Sequence, residues 1–294
     1  MTQDAAGVRS DRQTAPANTS TSPFDTLATT YDDDFTTSAI GRRMRRAVWR
    51  RLDSHARAGD RVLELNCGTG EDAVHLAARG VTVLATDVSP AMLEVARDKA
   101  RQRGLTARVT VRQLAIEDLG PALDHEPPFD GVLSNFGGLN CVLDLDAVAQ
   151  GLAQVVRPGG WAVLCVMGPW VPWEWVWYLG HGQVRTALRR LRPAGVVWRG
   201  LTIRYPTIGT LRRALGASFQ LHRVSAIGAL LPPSYVEAWA RRHPHWLAFF
   251  DRVERRTETW PPLPWLADHY LAEFERRNLD FHTQRREEAN AVHE

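Results

Sequence analysis

The chain has 294 residues, 44% hydrophobic and 23% charged, enough for one large α/β unit with insertions or for two small domains. Its formal net charge is only +3, and the bases are almost all arginines scattered among acids, Lys99 being the single lysine, so no clustered basic face marks a nucleic-acid binder. Cys67, Cys141 and Cys165 are odd in number and far apart, which argues against a disulfide framework or a metal site and for a reducing, cytoplasmic setting.

Residues 1–22 lack the apolar core of a signal peptide and read as a disordered lead-in. The stretch FDTLATTYDDDFTTSAIGRRMRRAVWRRL predicts a capped helical region with Met44, Val48 and Leu52 on one inner stripe. RVLELN, VTVLATD, ARVTVRQL, FDGVLSNF and GWAVLCVM predict strands. Between them GEDAVHLAAR, SPAMLEVARDKARQ and DLDAVAQGLAQVV predict helices, the second with Ser89 as N-cap and Pro90 in the first turn. Alternation of this kind with continuously apolar strands implies an α/β fold: a Rossmann-like, doubly wound and mostly parallel sheet.

Beyond residue 168 the rhythm breaks. VVWRGLTIRY reads as one strand, TIGTLRRAL as a helix and FQLHRVSAIGALL as a further strand; SYVEAWARRH and HWLAFFDRVERR read as short helices broken at Pro244. In WLADHYLAEFERR, the alternation of His269, Leu271 and Glu273 with Tyr270, Ala272 and Phe274 favours a strand over a helix, added antiparallel at the sheet edge. The expected organisation is therefore a helical lid and core over 23–168, a substrate-binding lid insertion with a late strand over 169–260, and a closing segment over 261–294. Trp161 to Gly180 is nearly apolar enough for a membrane span, but Pro169, Pro172 and Glu174 argue against one.

The most informative stretch is VLELNCGTGEDAVHLAARGVTVLATD, residues 62–87, a strand, a glycine turn, a helix and a strand ending in an acid. Such turns hold ligands with backbone N–H groups at a helix N-terminus. A phosphate-binding P-loop needs a lysine followed by serine or threonine, and this turn has neither. Gly68, Gly70 and Ala73 satisfy dinucleotide spacing, so a nicotinamide-dependent oxidoreductase stays open on spacing alone. Glu64, Glu71 and Asp72 surround the turn with no nearby cation, which disfavours pyrophosphate and suits a ligand bearing an ammonium and a sulfonium. S-adenosylmethionine is such a ligand.

At these residues the sequence resembles the class I S-adenosylmethionine-dependent methyltransferases. ELNCGTG matches their first motif, and the likeness continues through Asp87 into TDVSPAMLEVAR, through IEDL and FDGVLSNF, to RPGGWAVL, about residues 58–168. The resemblance implies that Asn66, Cys67, Gly68 and Gly70 lie against the methionine and ribose, and that Glu64 orders the turn or reaches the ammonium through water. It implies that Asp87 accepts from both ribose hydroxyls, that Val88 and Met92 flank the adenine, and that Ile116 and Glu117 reach its edge. Asn135 and Phe136 would face the transferred methyl, and Tyr31 would fold over the cofactor. Two positions depart from the pattern: Asn66 replaces the first glycine, and Ala115 stands where many relatives carry an aspartate.

For the acceptor, Trp170, Trp173, Trp177 and Tyr178 read as a hydrophobic anchor, a substrate wall or a peripheral membrane contact. His181, Tyr205, His222 and His243 are the candidate general bases. The fourth strand ends in SNFG rather than the N/D-P-P-Y/F of many amino-methylating enzymes, and no nucleic-acid module is appended. A small-molecule acceptor in specialised or quinone-like metabolism is the family expectation, with a non-catalytic S-adenosylmethionine-binding protein as the alternative to both enzyme readings.

Overall fold

Runs of valine and leucine that must be buried on two faces collect into one seven-stranded sheet in the computed structural model, which describes residues 22–233 and 236–278. The strand order is β3 (Val109–Gln113), β2 (Thr82–Asp87), β1 (Arg61–Leu65), β4 (Phe129–Ser134), β5 (Val156–Met167), β9 (His269–Arg276), β8 (Phe219–Ile227). The first five are parallel, and β9 lies antiparallel to both β5 and β8. The antiparallel strand expected at the edge is β9, inserted between β5 and β8, and β8 outside it runs with the core strands. Inward and outward residues of His269–Phe274 are all buried, as an interior position requires.

Helices cover both faces. On one, α1 (Ala39–His55), α2 (Glu71–Ala78), α3 (Pro90–Gln102), α9 (Glu237–Arg242) and α10 (Pro244–Thr257) pack Val48, Leu52, Leu76, Leu93 and Leu247 against Val83, Val163 and Leu271. On the other, α4 (Leu119–Leu123), α5 (Leu145–Val155) and α8 (Ile208–Leu215) pack Leu123, Leu152 and Leu211 against Leu63, Val132 and Leu164. Met44, Val48 and Leu52 form the inner stripe of α1, and Ser38 caps it by accepting from the Gly41 N–H at 2.9 Å. Ser89 caps α3 and Pro90 opens it, as expected.

One expectation is corrected. VVWRGLTIRY is not one strand but a hairpin, β6 (Val196–Trp198) and β7 (Leu201–Ile203), because Arg199 and Gly200 take φ of +47° and +85° and reverse the chain. The break expected at Pro244 is present, since α9 ends at Arg242 and Pro244 opens α10 in its first turn. β8 is the late sheet strand expected within 169–260, and it divides that segment into two excursions. The apolar run from Trp161 divides at Gly168 between β5 and α6 (Pro172–Gly180), which is followed by α7 (Val184–Ala187), and among the described residues no helix is long and apolar enough to cross a membrane. The expected tail, residues 1–21 and 279–294, lies outside the described residues, as do positions 234–235 of the expected helix SYVEAWARRH.

Candidate active site

The parallel strands end on one rim, and the strand order reverses between β1 and β4, which makes the crevice above Leu65 and Ser134 the expected ligand position. The glycine turn lies there. Asn66, Gly68 and Gly70 have φ of +48°, +52° and +76°. Asparagine tolerates this left-handed backbone better than most residues, so the departure from glycine preserves the turn. It also adds a link: Asn66 Nδ2 donates to the Asn135 carbonyl at 2.6 Å and its Oδ1 accepts from Ser134 Oγ at 2.6 Å, tying β1 to the end of β4. A Cβ on Gly70 would stand 2.8 Å from that of Ala96, so glycine there lets α3 close against the turn.

Asp87, 8% exposed, accepts from the Gly68 and Ser89 backbone N–H groups, both at 2.9 Å; burial nevertheless pushes its carboxyl upward. Glu64 is 1% exposed and its Oε2 has no partner. Burial pushes the Glu64 carboxyl well above the usual range; the neighbouring Asp72 adds to that and Arg45 opposes it. Val88 is exposed beside Asp87, Met92 is buried in the next turn, Ile116 is buried and Glu117 is exposed. The Cys67 thiol is buried and pushed well upward by burial, which leaves it a packing residue rather than a nucleophile.

The reading that no cation accompanies the acids is overturned. Arg45 on α1, itself 6% exposed, stands 2.5 Å from Asp72, which also accepts from Trp49 Nε1 at 2.6 Å and Asn135 Nδ2 at 2.9 Å. Burial would raise the Asp72 carboxyl, but Arg45 holds it below the usual value. Lys99 lies 3.0 Å from Glu71 and 2.8 Å from Asp32. Both cations come from distant turns of helix, invisible to a search along the local sequence. Glu64 and Asp87 are therefore the acids left without a neutralising ion pair.

Residues 24–36 lie across this rim. Asp32 accepts from Thr69 Oγ1 at 2.6 Å and Asp25 from Ser89 Oγ at 2.5 Å, one bond to the turn and one to the start of α3. Tyr31 sits among Arg45, Asp72, Asp87 and Asp32, its phenol pushed upward chiefly by burial. Phe136, at φ +48°, meets Phe35 edge-on at 4.8 Å and lies under Arg45 at 4.9 Å. Tyr31, Glu64, Asn66, Asp87, Asn135 and Phe136 thus converge, as the sequence reading expects.

The candidate bases do not. His222 pairs with Glu275 at 3.2 Å beside a 430 Å³ recess at the opposite rim, because it lies near the start of a strand that runs with the core strands. His181 is exposed and bonds the Trp177 carbonyl at 2.7 Å; His243 is exposed against the Trp239 ring. Tyr205 lines a groove of about 530 Å³ with Trp170, Leu139 and Arg190, beyond the 3-10 turn that follows β4. Trp173 borders a small void beside Glu174, Trp177 is largely exposed, and Tyr178 carries Arg189 over its ring. The histidine near Phe136 is His269, which meets that ring at 90° and 5.5 Å while its Nδ1 lies 3.0 Å from Asp268. Its buried place at the rim end of β9 follows from the strand alternation, the one signal that could have found it. Among the described residues no group of three or more His, Cys, Asp or Glu is placed to hold a metal.

Residues 62–160 match the family described as Methyltransferase domain. The methyltransferase GfsG of Streptomyces halstedii is 38% identical over 124 residues, 41% of this chain and 41% of that one. A demethylmenaquinone methyltransferase of Clavibacter sepedonicus is 34% identical over 161 residues, 54% of this chain and 61% of that one. The chain thus spans about half the length of these curated relatives. A solved S-adenosylmethionine-dependent methyltransferase of Mesorhizobium loti superposes with a TM-score of 0.51 at 20% identity, covering 78% of this chain and 98% of that one, a likeness of fold.

Proposed function

We propose, from the premise that residues 62–160 are a class I S-adenosylmethionine-dependent methyltransferase domain, that the chain transfers a methyl group from S-adenosylmethionine to a small-molecule acceptor. The observation that carries this reading is the Glu64 carboxylate: buried at the turn, short of a partner for Oε2, and not neutralised by the ion pairs that consume Glu71 and Asp72. A cationic ligand favours the charged form of such a buried acid, whereas a pyrophosphate would push it further toward the neutral form and gain nothing from it. The residues fit the cofactor in the same sense. Asp87 would take the ribose hydroxyls, Val88 and Met92 the adenine with Ile116 and Glu117 at its edge, and Tyr31 and Phe136 the sulfonium end.

When bound, the cofactor supplies an activated methyl whose leaving group departs neutral, so the protein needs no acid there. What the chain contributes is alignment, worth roughly 7–11 kcal/mol in well-oriented reactions. Phe35, Phe136 and Tyr31 exclude water above the turn, and the hydrogen bonds from Asn66 and Ser134 hold the end of β4 in register. For a hydroxyl or enol acceptor, His269 is the base this arrangement favours: its ring meets Phe136 at the rim, and the Asp268 carboxylate stands 3.0 Å from its Nδ1. The acceptor class we infer is a specialised or quinone-like metabolite, the demethylmenaquinone methyltransferase among the relatives supporting the latter, in the cytoplasm where three free thiols stay reduced.

Calorimetry tests the premise. The chain should bind S-adenosylmethionine, and Asp87→Ala should weaken binding more than about tenfold, the equivalent of roughly 1.4 kcal/mol. Equal affinity in the two proteins, or tighter binding of a nicotinamide dinucleotide, ends this reading. Incubating a cell extract with isotopically labelled donor then identifies the acceptor by mass spectrometry.

A further inference from the structure

The two helices after β5 carry a face that methyl transfer does not explain. Of the seventeen large apolar side chains exposed among the described residues, eight lie between Trp170 and Leu191. Val176 is 68% exposed and Leu179 48% on α6; Val184 is 53% exposed on α7 and Leu188 44% just after it. The i,i+3 and i,i+4 spacings of these pairs place each pair on one side of its helix. Eight exposed large apolar side chains within 22 residues of chain mark an interaction site rather than ordinary scatter.

Charge identifies the partner. Residues 170–192 contain four arginines and one acid, Glu174. That acid is turned inward, 2% exposed, and is spent on Arg189 and Arg190. Arg190 in turn reaches Asp268 at 2.6 Å, which anchors the helices to the sheet. Arg185 and Arg192 are left exposed beside the apolar face, and no exposed acid accompanies them on this segment. An apolar face fringed only by arginine fits the headgroup region of an anionic bilayer, where each such cation contributes about 1 kcal/mol. A protein partner of ordinary composition would leave the one-sided charge unexplained.

We propose that α6, α7 and the turn after them form a docking surface for a bilayer rich in anionic lipid. The groove of about 530 Å³ shares Trp170, Leu191 and Arg192 with this segment, so docking brings its mouth to the lipid surface. On the methyltransferase reading, from which this last consequence alone derives, a lipophilic acceptor enters there.

Co-sedimentation of the full chain with vesicles tests the surface without donor or acceptor, so its failure and that of the methyltransferase reading are separate results. The chain should pellet with phosphatidylcholine vesicles containing a quarter phosphatidylglycerol, bind pure phosphatidylcholine at least about tenfold less, and be released at about 1 M salt. Val176→Asp with Leu188→Asp should abolish pelleting, and Arg185→Glu should weaken it at least about fivefold. Phe249→Asp, an exposed apolar residue on α10 outside the segment, should bind as the parent does. Unchanged melting temperature and far-ultraviolet circular dichroism establish that the variants fold. Pelleting that ignores phosphatidylglycerol, or survives the paired aspartates, overturns the proposal. So does light scattering that shows a dimer which Val176→Asp converts to monomer, since the face then belongs to a second copy of the chain.

Discussion

Arg45 and Asp72 form an ion pair of 2.5 Å that joins α1 to α2 beneath the candidate cofactor crevice, with side-chain exposures of 8% and 4%. Neither group has water to fall back on. Removing the cation strands a buried carboxylate, whereas removing the pair together strands only the neutral donors Trp49 Nε1 and Asn135 Nδ2. Arg45→Met should therefore cost about 3–5 kcal/mol of stability, and Arg45→Met with Asp72→Leu distinctly less than that. Urea denaturation of both variants decides it: equal or greater loss in the double variant would mean that the pair does not couple.

Lys99 holds Asp32 and Glu71 together, and so fastens the segment bearing Tyr31 to the glycine turn. Lys99→Met keeps the aliphatic stem and removes the clasp. Amide exchange over residues 30–37 should speed up at least about tenfold in the variant without donor, and dissociation of S-adenosylmethionine should quicken while the global melting point barely changes. If exchange is unaltered there, Thr69 and Asp25 suffice and the lysine is only a surface charge.

A Cβ placed on Gly138 would stand 2.0 Å from Asn66 Cγ, too close for the two side chains to coexist. Gly138→Ala should push Asn66 out of its bonds to Asn135 and Ser134, costing about 1–3 kcal/mol and weakening donor binding. Replacing Asn66 by glycine in the same chain removes the obstacle and suits φ of +48°, so the double variant should regain much of the stability. Additive losses by thermal melting would show that Gly138 matters for another reason.

Which of these features the sequence announces depends on how far apart the partners are. The five parallel strands, their helices and the turn from Glu64 to Gly70 are local patterns of two- and 3.6-residue period, and they form as expected. Asp87 and Phe136 follow because strand ends in a doubly wound sheet lie on one rim. Arg45 and Lys99 were not legible: they are separated from Asp72 and Glu71 by 27 and 28 residues, and only the packing of α1 and α3 brings them in. The histidines failed for a topological reason. β8 runs with the core strands and β9 against them, so His222 near the start of β8 falls at the far rim while His269 at the start of β9 falls at the near one.

Glu64 gives the site a pH signature. Burial raises its carboxyl well above the ordinary 4.5, so between that value and its folded one the native state holds more protons than the unfolded chain. Stability supplied by the protonated acid is complete below about pH 4.5 and is lost as pH rises through the window. Glutamine keeps the shape and cannot ionise. The melting temperature of Glu64→Gln minus that of the parent should therefore climb with pH above 4.5 and then level off. The same substitution should weaken S-adenosylmethionine binding, because the carboxylate is the form a cationic ligand favours. In the parent, binding at a pH inside that window should release protons, measured by calorimetry in buffers of different ionisation enthalpy, and the variant should release fewer. Parallel melting curves across the pH series, together with equal proton release, would show that Glu64 stays in one ionisation state and that its burial does not serve a cation.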